Sequence, residues 1–309
     1  MREAFIQTLL TLAQERRDIF LVTGDMGFSV LEPFRDRIPE RFINAGVAEQ
    51  NMIGVAAGLA LTGKQVFVYS IIPFACMRCF EQIRNDLCMP KLNVKIVGIG
   101  TGYHYGPAGT THHAIEDVAL MRALPGMKVI DPSTPQEAQE ALKAVADEAG
   151  PVYIRLGKYQ GDSVFNHANK FVIGQANILE EGEDLAVISS GSVVYNVHKA
   201  LQILRGQGLR GRLIHMPTIK PIDEEMIRQT AKKTEVIFTV EENNIIGALG
   251  SAVAEVLAEG RCNVHFRRLG IGDVYEKAIG SQTFLQGKHG LTPETLAKRI
   301  QEELASIIL

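Results

Sequence analysis

Apolar residues along this chain recur in two rhythms. Residues 3–17 put Phe5, Leu9, Leu12 and Ala13 on one face of a helix. Residues 19–23 (IFLVT) follow as a short apolar run closing on Gly24-Asp25, the pattern of a buried parallel strand. Runs of the same kind recur at 66–69 (VFVY), 94–99 (VKIVGI), 128–130 and 151–155 (PVYIR), with helical segments at 48–61 and 76–88 between them. Thr134-Pro135-Gln136-Glu137 opens a further helix, with capping-box spacing and a proline at the first helical position. Strand and helix alternating in this way predict a parallel sheet covered on both faces.

The pattern breaks over 157–175 (GKYQGDSVFNHANKFVIGQ), where Gly, Asn and Asp cluster, and then restarts. Residues 185–189, 212–215, 236–240 and 264–268 read as strands, and 192–206, 223–233, 247–259 and 292–308 as helices. The predicted fold class is α/β: two doubly wound domains, mostly parallel sheets with helices on both faces, at residues 1–160 and 175–309, joined by a linker at 161–174. A length of 309 residues suits two domains of roughly 150 residues each.

Composition narrows the function classes. Hydrophobic residues make up 46% and charged residues 22%, the balance of a soluble globular protein. Lys and Arg total 32 against 35 acidic residues, which argues against binding nucleic acid, although a local basic pocket for a small phosphorylated ligand is compatible with it. The opening MREAFIQTLLTLAQERRD lacks the continuous apolar core of a signal peptide, and the longest apolar stretch, 66–77, is too short to span a bilayer. Four cysteines do not make a disulfide framework, so the cytoplasm is the expected compartment.

The most informative stretch is 41–63, RFINAGVAEQNMIGVAAGLALTG. A strand-like RFIN leads through Ala45-Gly46-Val47-Ala48 to Glu49, at the start of a helix rich in Ala and Gly. Beside Val47, Met52 and Ile53, a dry pocket would disfavour the charged form of Glu49, and a protonated carboxyl could then hand a hydrogen bond to a ring nitrogen. Equally, Glu49 reads as an ordinary helix-start glutamate favoured by the dipole.

The segment NAGVAEQNMIGVAAGLALTG resembles the signature of the transketolase family's pyrimidine-binding domain. The resemblance continues through Tyr69-Ser70, FACMRCFEQIRND and GPAGTTHHAIEDVALMRALPGMKVIDPSTPQEA, covering nearly all of 1–157. GSVVYNVHKAL and TVEENNIIGALGSAVAEVL resemble the family's C-terminal domain. A full-length transketolase carries a further domain before this region, which supplies a Gly-Asp-Gly…Asn motif holding Mg2+ and the diphosphate. Here Gly24-Asp25-Met26 and Gly272-Asp273-Val274 match it only superficially, and no metal ligands are assigned.

The resemblance therefore implies the small subunit of a split transketolase that uses thiamine diphosphate and Mg2+. The diphosphate and metal would be held by a separate N-terminal subunit, in a heterotetramer of paired large and small chains acting on sugar phosphates. Glu49 would hydrogen-bond the pyrimidine ring and favour its imino tautomer, and Phe74 is the candidate for stacking against that ring. His112 matches the family's histidine for substrate hydroxyls, and Arg155 a family arginine for the sugar-phosphate's phosphate. Four residues before His112 the family's usual aspartate is Ala108, which puts donor choice in doubt. Tyr103, His104 and Tyr105 either replace some of those contacts, making His104 a substrate-binding candidate, or only line the loop.

Other motifs carry less. Gly98-Ile99-Gly100-Thr101-Gly102 opens into Tyr-His-Tyr-Gly-Pro rather than a helix, unlike a dinucleotide-binding loop. Cys76 and Cys79 have only Cys88 nearby, short of a zinc set, and read as buried thiols. His112-His113 are adjacent and so point apart, which weakens a metal reading. Rival identities are the beta subunit of a 2-oxo-acid dehydrogenase, a deoxyxylulose-phosphate synthase fragment, or a non-catalytic subunit that keeps the fold.

Overall fold

The computed structural model describes residues 1–159 and 171–308. The first half contributes β1 (Ile19–Thr23), β2 (Phe42–Asn44), β3 (Gln65–Ile71), β4 (Val94–Ile99), β5 (Lys128–Ile130) and β6 (Val152–Leu156). The second half contributes β7 (Asn177–Glu180), β8 (Leu185–Ser189), β9 (Gly211–His215), β10 (Thr218–Lys220), β11 (Val236–Asn244) and β12 (His265–Ile271). They form two sheets, ordered β10-β5-β6-β4-β3-β1-β2 and β12-β11-β8-β9-β7. Pairing is parallel except for the edge strands β10 on β5 and β7 on β9, so both sheets are mostly parallel, as predicted.

β1, β4, β5 and β8 coincide with their predicted spans, because a strand buried on both faces reads as an unbroken apolar run. β7 and β10 were not predicted: each is a short edge strand with too few residues to show a period. β10 also alters the expected division at 1–160 and 175–309, since it comes from the second half yet closes the first sheet. Most of the linker expected at 161–174 lies outside the described residues. The helix expected at 76–88 is a broken one, with wide π turns at Pro73–Met77 and Ile83–Cys88 on either side of Phe80–Gln82.

Helices cover both faces of each sheet. On one face of the first sheet, Phe5, Leu9, Ala138 and Leu142 bring helices Arg2–Glu15 and Pro135–Ala146 together. Helix Glu49–Leu61 covers the other face with Met52, Ile53 and Ala56. That core runs on without a break into Ile188, Ile214 and Val253 of the second sheet. Helices Val194–Gly206 and Pro293–Ile308 cover the second sheet's far side.

Polar groups also fasten the halves together. Arg155, on β6, is 2% exposed. Its Nε donates to Asp117 at 2.7 Å and its Nη1 to Asp131 at 2.9 Å. Asp117 also accepts from Tyr153 (2.5 Å) and from Asn243 of β11 (3.1 Å), and Asp131 accepts from Ser190 (3.0 Å). The expectation that Arg155 binds a substrate phosphate is corrected by this geometry: the guanidinium is buried in a cage of carboxylates and does not face a ligand space. A second fastener pairs His215 of β9 with Glu137 at 2.8 Å. Glu137 sits in the predicted capping box, where its backbone N–H donates to Thr134 and its carboxylate reaches back to the Ser133 N–H.

Removing Arg155 would strand two buried carboxylates, a loss of about 3–5 kcal/mol. Arg155→Met is expected to lower the urea midpoint sharply or abolish folded yield, and native-like unfolding would contradict the role given to it here. For His215, burial lowers the pKa, but the charge and hydrogen bond of Glu137 outweigh it and hold the imidazole above its ordinary value. A raised folded-state pKa makes the pair's contribution complete below about pH 6.5 and lost as pH climbs through the folded value. In urea titrations, His215→Gln should cost most stability near about pH 6, with the gap closing towards alkaline pH.

Candidate functional site

The first sheet changes direction between β1 and β3: the chain builds outward to β2 on one side and to β4, β6 and β5 on the other. In a doubly wound sheet, ligands bind outside the carboxyl ends of the strands at such a point. Those ends are Thr23-Gly24 after β1 and Ile72-Pro73-Phe74 after β3, and Glu49 begins its helix beside them. A Cβ on Gly24 would lie 3.3 Å from the Glu49 Cγ and 3.4 Å from the Met52 Sδ, so the smallest residue leaves room for the glutamate. Asn44 ties the flanking loops, accepting from the Asp25 and Gly46 N–H groups at 2.9 and 3.0 Å.

Glu49 is 3% exposed, and it is not alone among apolar groups as a dry pocket would have it. Its Oε2 accepts from Arg78 Nη1 at 2.7 Å. Val47, expected to wall the pocket, is exposed, whereas Met52 and Ile53 are buried. The Arg78 guanidinium also lies over the Phe74 ring, 4.5 Å from its centre. Burial, and then the charge of Glu49, push the Cys79 thiol up to about 12, so it is no nucleophile.

A row of rings leads away from this pair. Phe74 meets His112 edge-on at 5.0 Å, His112 faces Tyr105 at 6.4 Å, and Tyr105 meets His104 edge-on at 4.7 Å. Glu49, Phe74, His112 and His104 thus come from separate segments and gather at one end of the sheet. His113 turns the other way, onto buried Tyr103. Beyond His104 opens a cavity of about 430 Å3 with Arg2, Lys158, Val30 and Ile99 in its wall. Burial first, and then the charges of Arg2 and Lys158, push the His104 imidazole down to about 4, so it is neutral in ordinary conditions. Of the predicted site residues, only Arg155 stands apart.

The second half positions the histidine loop. Glu242, at the carboxyl end of β11, accepts from the Tyr103 N–H at 3.0 Å and from the amides of Gln282 and Gln286. Gly102 (φ 56°) lets it approach, since a Cβ there would lie 2.4 Å from the Glu242 carboxyl carbon. Thr110 donates to the Glu276 carbonyl at 2.8 Å, and the Tyr103 hydroxyl pairs with His289 at 2.9 Å. Arg78, Asn44 and Glu242 were missed as site residues. Arg78 and Glu242 stand inside the family-like segments FACMRCFEQIRND and TVEENN, but only folding shows what they touch.

Among the described residues, no group of three or more His, Cys, Asp or Glu side chains could hold a metal ion, and no helix is long and apolar enough to cross a membrane.

Comparison with known proteins adds an independent view. Residues 1–161 match the family model described as transketolase, pyrimidine binding domain, and residues 174–296 that of transketolase, C-terminal domain. One of the two subunits of the apulose-4-phosphate transketolase of Phocaeicola vulgatus is 38% identical over 304 residues, 97% of this chain and 96% of its own length. The 6-deoxy-6-sulfo-D-fructose transketolase subunit SqwH of Clostridium sp. is 37% identical over 303 residues, covering 98% of this chain and 94% of its own. A solved structure titled "Split gene transketolase, inactive beta4 tetramer" superposes with a TM-score of 0.88 at 38% identity, covering 98% of this chain and 97% of that one.

Proposed function

This chain belongs to the transketolase family, pairing its pyrimidine-binding and C-terminal domains, and from that premise we propose that it is the small subunit of a thiamine-diphosphate-dependent transketolase, active only with a diphosphate-binding partner chain. The reaction would move a two-carbon ketol unit from a ketose phosphate to an aldose phosphate. The observation that carries this reading is the buried Glu49 carboxylate beside Phe74 and His112 at the switch point of the first sheet. These residues fit the pyrimidine end of the cofactor, since a carboxyl can meet a ring nitrogen and an aromatic face can take the ring. They do not fit its other end: neither a metal-holding cluster nor the Gly-Asp-Gly…Asn motif was found among the described residues. Mg2+ and the diphosphate then fall to the partner, in a heterotetramer of paired large and small chains. That a related β chain forms an inactive tetramer by itself supports the same dependence.

When bound, thiamine diphosphate supplies the nucleophilic carbon on which ketol transfer depends. Glu49 holds the pyrimidine ring by a hydrogen bond and selects its tautomer, while Phe74 fixes the ring plane. His112, half-buried and facing the same space, exchanges protons with substrate hydroxyls. Neutral His104 orients a substrate hydroxyl by hydrogen bonding. The cavity beside it, with Arg2 and Lys158 in its wall, suits the phosphate end of the sugar, the task first expected of Arg155.

Calorimetric titration of thiamine diphosphate with Mg2+ should give heat only when the chain is mixed with its partner. Tight binding by the chain alone would mean that it holds a diphosphate site of its own. In the reconstituted complex, Glu49→Gln should cut ketol transfer by about 100-fold or more without blocking assembly. Near-native turnover of the variant would remove Glu49 from the mechanism, and CO2 release from pyruvate or branched 2-oxo acids by the native complex would favour a 2-oxo-acid dehydrogenase instead.

A further inference from the structure

Arg78 makes two contacts, and together they have a shape. One edge of its planar guanidinium donates to Glu49 at 2.7 Å, and its plane lies over Phe74 with the central carbon 4.5 Å from the ring centre. A carboxyl contact at the edge and an aromatic contact at the face are the two interactions that the proposed function assigns to the cofactor's aminopyrimidine, itself a flat ring with an amidine-like edge. We propose that Arg78 is a displaceable stand-in for that ring: in the free chain its guanidinium fills the slot between Glu49 and Phe74, and it swings out when the cofactor enters. This inference rests on the assignment of Glu49 and Phe74 to the pyrimidine.

Two features make a stand-in necessary and removable. Glu49 is 3% exposed, and a buried carboxylate without a partner is strongly destabilising, so a free chain with an empty slot needs a cation there. Arg78, by contrast, has a side chain 46% exposed, so water already reaches it and it can leave without being drawn out of a dry core. Among the described residues, no second carboxylate pairs with its guanidinium. The wide turn at Pro73–Met77, closed by the Arg78 N–H on the Pro73 carbonyl at 3.2 Å, sets Arg78 directly over Phe74. Breaking the pair opposes cofactor entry, so Arg78 weakens binding while protecting the empty site.

Arg78→Leu removes the guanidinium and keeps an apolar cover for Phe74. In the free chain it should lower the melting temperature, and the double variant Arg78→Leu/Glu49→Gln should recover most of that loss, because a neutral amide needs no counter-charge. In the complex with the partner, Arg78→Leu should bind thiamine diphosphate with Mg2+ about fivefold more tightly by calorimetry. An unchanged or weaker Kd overturns the stand-in, making Arg78 a bystander or a lasting ligand contact. So does a melting temperature that the substitution leaves unmoved. Glu49→Gln separates this from failure of the underlying assignment: if that variant turns over normally, Glu49 does not serve the pyrimidine at all. If it is inactive while Arg78→Leu fails to tighten binding, only the stand-in falls.

Discussion

The guanidinium of Arg155 holds Asp117 and Asp131 inside the molecule, and the relation between the two halves turns on that contact. Two carboxylates and an arginine, all nearly without solvent, are tolerable only if every charge has its partner and the remaining lone pairs are filled. Tyr153 and Asn243 fill them at Asp117, and Ser190 at Asp131. Asn243 and Ser190 come from carboxyl ends of strands in the second sheet. The first domain therefore occupies, with its own side chains, the crevice where a second doubly wound sheet would otherwise take a ligand.

With that crevice filled, the second half serves as scaffold for the first. Glu242 and the segment around 276–289 grip the loop that carries Tyr103, His104 and His112, so the rings lining the site are aimed from outside their own domain. Desolvation, offset in part by its hydrogen bonds to Tyr103, Gln282 and Gln286, pushes the Glu242 carboxyl up to about 6. The first half keeps its own switch point open, and there Glu49, Arg78 and Phe74 meet. A chain with a pyrimidine-binding end and no metal-holding cluster among its described residues has the shape of one partner in a shared site.

Arg155 and Arg78 show how the same residue type serves opposite ends. Arg155 is enclosed, and its charge is satisfied for the life of the fold. Arg78 sits at the surface over an aromatic face, with one buried carboxylate to satisfy. The first resists replacement because nothing can reach the charges it would leave behind. The second can be exchanged for any flat donor that makes the same two contacts.

Much of the fold was legible in the sequence. Fully buried parallel strands such as β4 and β8 read as unbroken apolar runs, and Thr134-Pro135-Gln136-Glu137 announced its helix, because both signals depend on neighbours along the chain. The family motif likewise marked Glu49, Phe74, His112 and His104, which the structure gathers at one end of a sheet. The residues themselves did not say whether an arginine at a strand's end faces a ligand or a carboxylate. Arg155 and Asp117 are 38 residues apart, and Arg78 and Glu49 are 29 apart, so no local spacing records either pair. The same holds for β10, whose three residues join the first sheet only because the halves are already docked. Local pattern and motif were set by the sequence alone. Which charges are buried, and what they face, was decided by tertiary structure, because burial and pairing belong to residues brought together in space.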